Sequence, residues 1–257
     1  MSQTKAQLVS QVSDAQNNTT GGSNAGDSFT GTDAQKNTLF GYNAGTAITT
    51  GDQNTAIGYE ALDSNTTAAN NTGIGKSALQ ANTTGTQNTA VGSNILYSNT
   101  TGNYNSAFGY SALFESTTSS NNTAIGAYTL AVNTTGGSNT AVGKDAFISN
   151  TTASYGTAIG RGALYTNTTG TQNTAVGDVT LYYNTTGAYN VAVGRLALHN
   201  NTTANNNTAV GMSALTANTT GTSNTAVGAE SLDANTTGNG NTAIGIAALG
   251  SNTTGAS

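Results

Sequence analysis

The chain has 257 residues, of which 7% are charged and 35% hydrophobic, and its formal net charge is −5. The few cations are scattered, which excludes a basic nucleic-acid footprint, and no apolar run reaches the roughly 18 residues of a membrane span. Zero cysteines exclude disulfides and thiolate metal sites, and zero prolines suit a long ladder in which every backbone N–H donates.

In chain order, Met1 to Gln11 lacks the continuous apolar stretch of a secretory signal. An exterior location is then expected to be reached by lysis, by a dedicated machine or as part of a virion. Residues 4–16 carry Leu8, Val9 and Val12 and read as a short helix or an extended arm, a candidate assembly segment. Asn18-Thr-Thr-Gly reads as the turn half of a repeat, and Asn24 to Asn37 as a shortened, degenerate first rung. Residues 1–36 are therefore an N-terminal arm or cap, and 37–257 the repeat array.

From Asn37 to Ser257 the chain consists of thirteen 17-residue units, N-T-A-(V/I)-G-x-x-A-L-x-x-N-T-T-G-x-x, with no slip of register. A fixed period near 20 residues means one supersecondary unit stacked on itself, each copy burying its apolar side against its neighbours. The polar composition alone would read as low complexity, but a disordered tract has no reason to return an apolar residue to one column in every unit.

We number the columns 1 to 17 from the leading Asn. Column 5 is always Gly, from Gly41 to Gly245, and reads as a corner with positive φ or close backbone approach. Columns 3 (mostly Ala), 4 (Val, Ile or Phe), 8 (mostly Ala) and 9 (Leu or Phe after Gly45) are the expected core. Asn-Thr-Ala-Val is β-compatible, and Asn-Thr-Thr-Gly is a turn. The stretch between them is a second short strand or a single helical turn. Stacked in register, these pieces predict an all-β fold, a parallel β-solenoid (β-roll) of about thirteen rungs, roughly 60 Å long at ~4.8 Å per rung. The Asn residues of columns 1 and 12 are expected to form stacked amide ladders.

Chemistry-bearing residues are sparse. The cations Lys76, Lys144, Arg161 and Arg195 all fall in column 6, marking columns 6, 7, 10 and 11 as solvated edges. Tyrosines gather in column 10 (Tyr97, Tyr165, Tyr182) and column 17 (Tyr104, Tyr155, Tyr189), an outer line that either packs as rim or contacts a partner or glycan. His199, the single histidine, has no nucleophile at a useful spacing and reads as an exposed bystander. No phosphate loop, paired carboxylates or metal-ligand cluster appears, so neither catalysis nor a cofactor is expected. The Asn-Thr-Thr triplets match a glycosylation acceptor, but turn chemistry already explains them.

Asn37-Thr-Leu-Phe-Gly-Tyr-Asn-Ala-Gly45 and the Ala-Leu-x-x-Asn-Thr-Thr-Gly strings resemble tandem repeats of phage and bacterial fibre proteins. More distantly they are similar to the Asn-Ser-x-Ala-Ile-Gly units of trimeric autotransporter adhesin heads, from which the 17-residue spacing departs. The resemblance implies a virion or extracellular surface fibre with an adhesive role, self-associating as a trimer or head to tail, and carries over no catalytic residue. Possible partners are further copies of the chain and a cell-surface receptor or glycan. The chain ends at Ser257 on a complete unit, so we expect either a segment removed beyond it or an end covered by the arm of another copy. An alternative from a different class is an ice-binding solenoid that uses the Thr files of columns 2, 13 and 14.

Overall fold

The structure, a computed structural model, describes residues 14–29 and 33–255, so Leu8, Val9 and Val12 lie outside the described residues. The chain divides into two compact units, Met1–Asn121 and Asn122–Ser257. In the first, six three-residue strands stack in sequence order: β1 Thr19–Gly21, β2 Thr38–Phe40, β3 Thr55–Ile57, β4 Thr72–Ile74, β5 Thr89–Val91 and β6 Ser106–Phe108. In the second, eight do the same: β7 Thr123–Ile125, β8 Thr140–Val142, β9 Thr157–Ile159, β10 Thr174–Val176, β11 Val191–Val193, β12 Thr208–Val210, β13 Thr225–Val227 and β14 Thr242–Ile244. All pairings are parallel, and Thr55 lies opposite Thr72 as Thr208 lies opposite Thr225, so one 17-residue unit is one turn of the coil. The fold is the all-β parallel solenoid that the repeat predicts. Among the described residues there is no helix, and none long and apolar enough to cross a membrane.

The first rung departs from its sequence reading. Thr19 pairs with Thr38, and the Asn18 side-chain oxygen accepts the Asn37 backbone N–H at 2.9 Å. Asn18 therefore occupies column 1, and Asn18-Thr-Thr-Gly is a strand running into a corner instead of a turn. The interval from Asn18 to Asn37 is 19 residues, so this rung is two longer than the repeat, not shortened.

Column 4 is a second correction. A strand turns successive side chains to opposite faces. Column 3 points inward, with Ala56, Ala90 and Ala209 fully buried, so columns 2 and 4 must point out. Ile57, Ile125 and Val210 are accordingly 36–41% exposed, Ile244 in the last rung 74%, and none of the column is buried. The core is columns 3, 8 and 9, completed by the buried asparagines of columns 1 and 12.

After the strand comes the Gly corner, at φ between 120° and 138° in every rung. The corner needs Gly for space as well as for φ: a Cβ on Gly211 would stand 2.4 Å from the carbonyl oxygen of Gly228 in the next rung. Columns 7 and 9 then return to positive φ, near 50–60°, even where they hold Leu, Tyr or Glu, as at Glu60, Leu62, Tyr128 and Leu130. The intervening columns 6 and 8 stay negative, so the segment is neither the strand nor the helical turn expected, but a run of alternating hand. This alternation lets two consecutive residues, Ala61 and Leu62, both reach the interior. It also sends the N–H groups of columns 7 and 9 to opposite neighbours: Glu60 donates to Tyr42 of the preceding rung and Leu62 to Ala78 of the following one, while Ala61 between them donates to Gly58 of its own rung. A left-handed conformation costs an L-residue roughly 1–2 kcal/mol, which the burial of one Leu, about 1.5–3 kcal/mol, offsets.

The polar core is closed. Asn207 receives the Asn224 backbone N–H on its side-chain oxygen at 2.9 Å and donates its amide to Gly221 at 2.8 Å. Column 12 forms a parallel ladder, with the Asn201 amide donating to Asn184 at 2.8 Å and to Ala204 at 3.1 Å. Each buried amide thus joins two rungs and fixes a turn within its own.

Where a core column changes, a neighbour changes with it. Gly156 stands in column 1, and a Cβ there would meet Cε1 of Phe147 at 2.4 Å, because that ring fills the space other rungs give to Asn. In the first full rung, Leu39, Gly45 and Ile48 exchange volume in the same way, since a Cβ on Gly45 would lie 2.8 Å from Ile48 Cδ1 and 2.9 Å from Leu39 Cδ2. Ser116 interrupts the column-12 ladder and pairs with Ser119 instead. The Asn99 side-chain oxygen, which an Asn in the next rung would have met, is left as a buried acceptor without a partner.

Candidate functional site

The surface that carries chemistry is the outer side of the alternating segment, where columns 6 and 10 project on either side of column 7. In unit one, column 6 holds Tyr42 stacked on Tyr59, with centroids 5.3 Å apart. Column 10 holds Tyr97 stacked on Phe114 at 5.1 Å. Column 7 is short here, at Ser77 and Asn94, so a groove of about 460 Å³ opens between the two aromatic files. Tyr59, Tyr97 and Phe114 line its walls, and Glu60, Lys76, Ser77, Gln80 and Asn94 supply its polar groups.

The polar groups are partly preset. Gln80 donates Nε2 to the Glu60 carboxylate at 2.8 Å. The Tyr59 hydroxyl donates to the same carboxylate, whose hydrogen bond and charge hold the phenol above its ordinary range. Nearby Asp63 is also pushed up, first by burial and then by the charge of Glu60, against a hydrogen bond from Thr46.

No family model, curated protein or solved structure matches the chain. The surfaces must therefore be read from their own geometry.

In unit two, column 10 carries three aromatic rings in succession, Tyr165, Tyr182 and His199. Tyr165 stacks on Tyr182 at 4.7 Å, and Tyr182 on His199 at 5.4 Å, while Tyr183 meets both Tyr182 and His199 edge-on. Tyr182 is raised by burial and then by its neighbour Tyr165. His199 is no exposed bystander: half-buried, its Nδ1 lies 2.9 Å from the Val179 carbonyl, and its ring continues the stack. In column 6, Asp178 pairs with Arg161 at 2.9 Å and with Arg195 at 3.8 Å. Exposed pairs of this kind contribute at most about 1 kcal/mol.

The sequence-predicted tyrosines thus separate. Tyr165 and Tyr182 are brought together in one stack, and Tyr97 joins the groove in unit one. Tyr104, Tyr155 and Tyr189 stand exposed in the left-handed position of column 17 and make no ring contact with the others. Tyr59, Glu60, Gln80 and Phe114 were missed by the sequence reading. The signal was present in Tyr42 and Tyr59, which repeat in column 6 one rung apart, beside the column-10 file. Among the described residues, no group of three His, Asp or Glu side chains is placed to hold a metal.

The threonine files also differ from one another. Column-13 hydroxyls are committed to backbone, Thr202 to Thr219 at 3.1 Å and Thr219 to Thr236 at 3.1 Å. Column-2 threonines such as Thr208 and Thr225 share the outward strand face with Val210 and Val227.

Proposed function

We propose that the chain is a non-catalytic structural protein, a subunit of a virion or extracellular surface fibre with an adhesive role, in which copies associate with one another. The observation that carries this reading is the outward strand face. Column 4 repeats an aliphatic or Phe side chain in all thirteen units of the array, partly or largely exposed and beside a Thr, Ser or Val, with no charged residue in columns 2 to 4. A regular apolar surface of this kind is what an interface covers. Its best occupant is a second copy, because only a body with the same ~4.8 Å rung spacing meets each column-4 side chain in turn. This face supports lateral association, as a dimer or trimer. The proposed head-to-tail joint through Leu8, Val9 and Val12 rests on the sequence alone.

Electron microscopy of the purified full chain tests the reading. Rods or filaments are the expected result; compact particles about 45 Å across, the size of a globule of this length, would refute it. A second reading is an ice-binding surface, which keeps the Thr files of columns 2 and 14: the column-13 hydroxyls are engaged, but column-14 threonines such as Thr67 and Thr135 stand exposed. Thermal hysteresis near zero with millimolar protein eliminates that reading.

A further inference from the structure

We propose that the groove of unit one, between Tyr59 and the Tyr97–Phe114 pair, is a binding site for a pyranose unit of a neutral glycan. The proposal deepens the adhesive reading above and rests on it. A pyranose presents two kinds of surface: C–H faces that pack on aromatic rings, and an equatorial edge of hydroxyls that both donate and accept.

The groove offers both. Tyr59 and Tyr97 lie two rungs apart, about 10 Å along the stack at the usual strand spacing, enough to admit one sugar ring with its substituents. Gln80 precedes Tyr97 in column 10, where it would otherwise cover that ring. Its amide instead turns back to Glu60 at 2.8 Å, which leaves the Tyr97 face lining the groove. The same contact holds Gln80 in place and leaves its side-chain oxygen and second N–H available. Asn94 adds a half-buried amide, a planar group with both a donor and an acceptor. Ligand sites in general combine aromatic walls with a few fixed polar groups.

Charge narrows the ligand class. Lys76 and Glu60 both line the groove, so it carries no net charge and offers no cluster of cations to an acidic sugar.

The test is saturation-transfer NMR on the full chain with maltotetraose, cellotetraose, chitotetraose and mannotetraose as probes. The expected result is transfer to at least one of them, strongest at ring C–H protons. Tyr97→Ala and Gln80→Leu should each weaken that probe about tenfold, the scale of one lost stacked ring or one lost hydrogen bond. Thr67→Ala, at an exposed position of the same unit that does not line the groove, should leave it unchanged. Gln80→Leu preserves the fold even if Tyr97→Ala does not, because Gln80 is only half-buried and its column varies freely. Absence of transfer from all four probes overturns the proposal, as does transfer that persists in Gln80→Leu and Tyr97→Ala alike. Transfer only to a sulfated oligosaccharide also overturns it, by making the groove an anion site at Lys76. Micrographs of the same sample separate the two readings: rods without sugar binding defeat the groove alone, and sugar binding by compact particles defeats the fibre alone.

Discussion

The pairing of Gly156 with Phe147 makes a quantitative prediction. Introducing Asn at 156 alone drives a Cβ to 2.4 Å from Phe147 Cε1, and the amide beyond it into the ring. Overpacking of this kind costs about 1–3 kcal/mol. Phe147→Leu alone empties part of the space and costs about 1–2 kcal/mol. Made together, the two changes recreate the arrangement of the other rungs. The introduced amide can then donate to the Gly170 carbonyl and accept the Asn173 backbone N–H, as Asn207 does with Gly221 and Asn224. At about 0.5–1.5 kcal/mol for each hydrogen bond, the double variant should exceed the parent by about 1–3 kcal/mol. The coupling energy between the sites is then at least about 3 kcal/mol, far above the few tenths expected of independent positions. Guanidinium unfolding followed by circular dichroism measures the cycle, and hydrogen exchange at the Asn173 amide locates it. A coupling near zero, or an Asn173 amide that exchanges as fast in the double variant as in the parent, would refute the volume exchange described here.

Two further outcomes follow from the corner and from the groove's flank. Gly211→Ala should cost about 4 kcal/mol or more, because its Cβ meets the Gly228 backbone at 2.4 Å, whereas Gly245→Ala, whose nearest neighbour is 4.0 Å away, should cost only the conformational penalty of about 1–3 kcal/mol. Equal losses in thermal melts of the two would show that φ alone, not rung contact, fixes the glycine. Asp63 is raised above 3.8 in the folded chain, so its contribution to stability is intact below that pH and declines as pH rises through the folded value. Asp63→Asn should therefore melt higher than the parent at pH 7, with the gap closing toward pH 3; a gap independent of pH contradicts the assignment to burial and Glu60.

The period, the Gly corner, the buried Ala and Leu columns and the Asn ladders were legible in the sequence, because each recurs as a single residue type in one column. Column 4 was not, since an aliphatic residue beside a corner reads as core when the strand is only three residues long and has no second alternation to check it. The alternating segment was hidden for a different reason. Leu and Tyr carry no mark of positive φ, and they accept it at Leu62 or Tyr128 only because inter-rung hydrogen bonds and burial over-determine the backbone. The groove was half-legible: Tyr97 was counted in its own column, but the site arises between columns, where Tyr59, a short Ser77 and a displaced Gln80 meet.

The buried amide ladders bear on how such a chain ages. Asparagine is a chemically fragile residue, and its side chain is lost when the backbone nitrogen of the following residue attacks the amide carbon. At Asn54 both partners in that attack are held. The amide is bonded to Ala68 at 2.9 Å and its oxygen to the Asn71 N–H at 3.0 Å, while the Thr55 nitrogen is tied to the Asn71 carbonyl at 2.8 Å. The same lock recurs along column 1. A column of asparagines that an unfolded chain would leave open to this attack is, inside this coil, kept out of reach of its own decay.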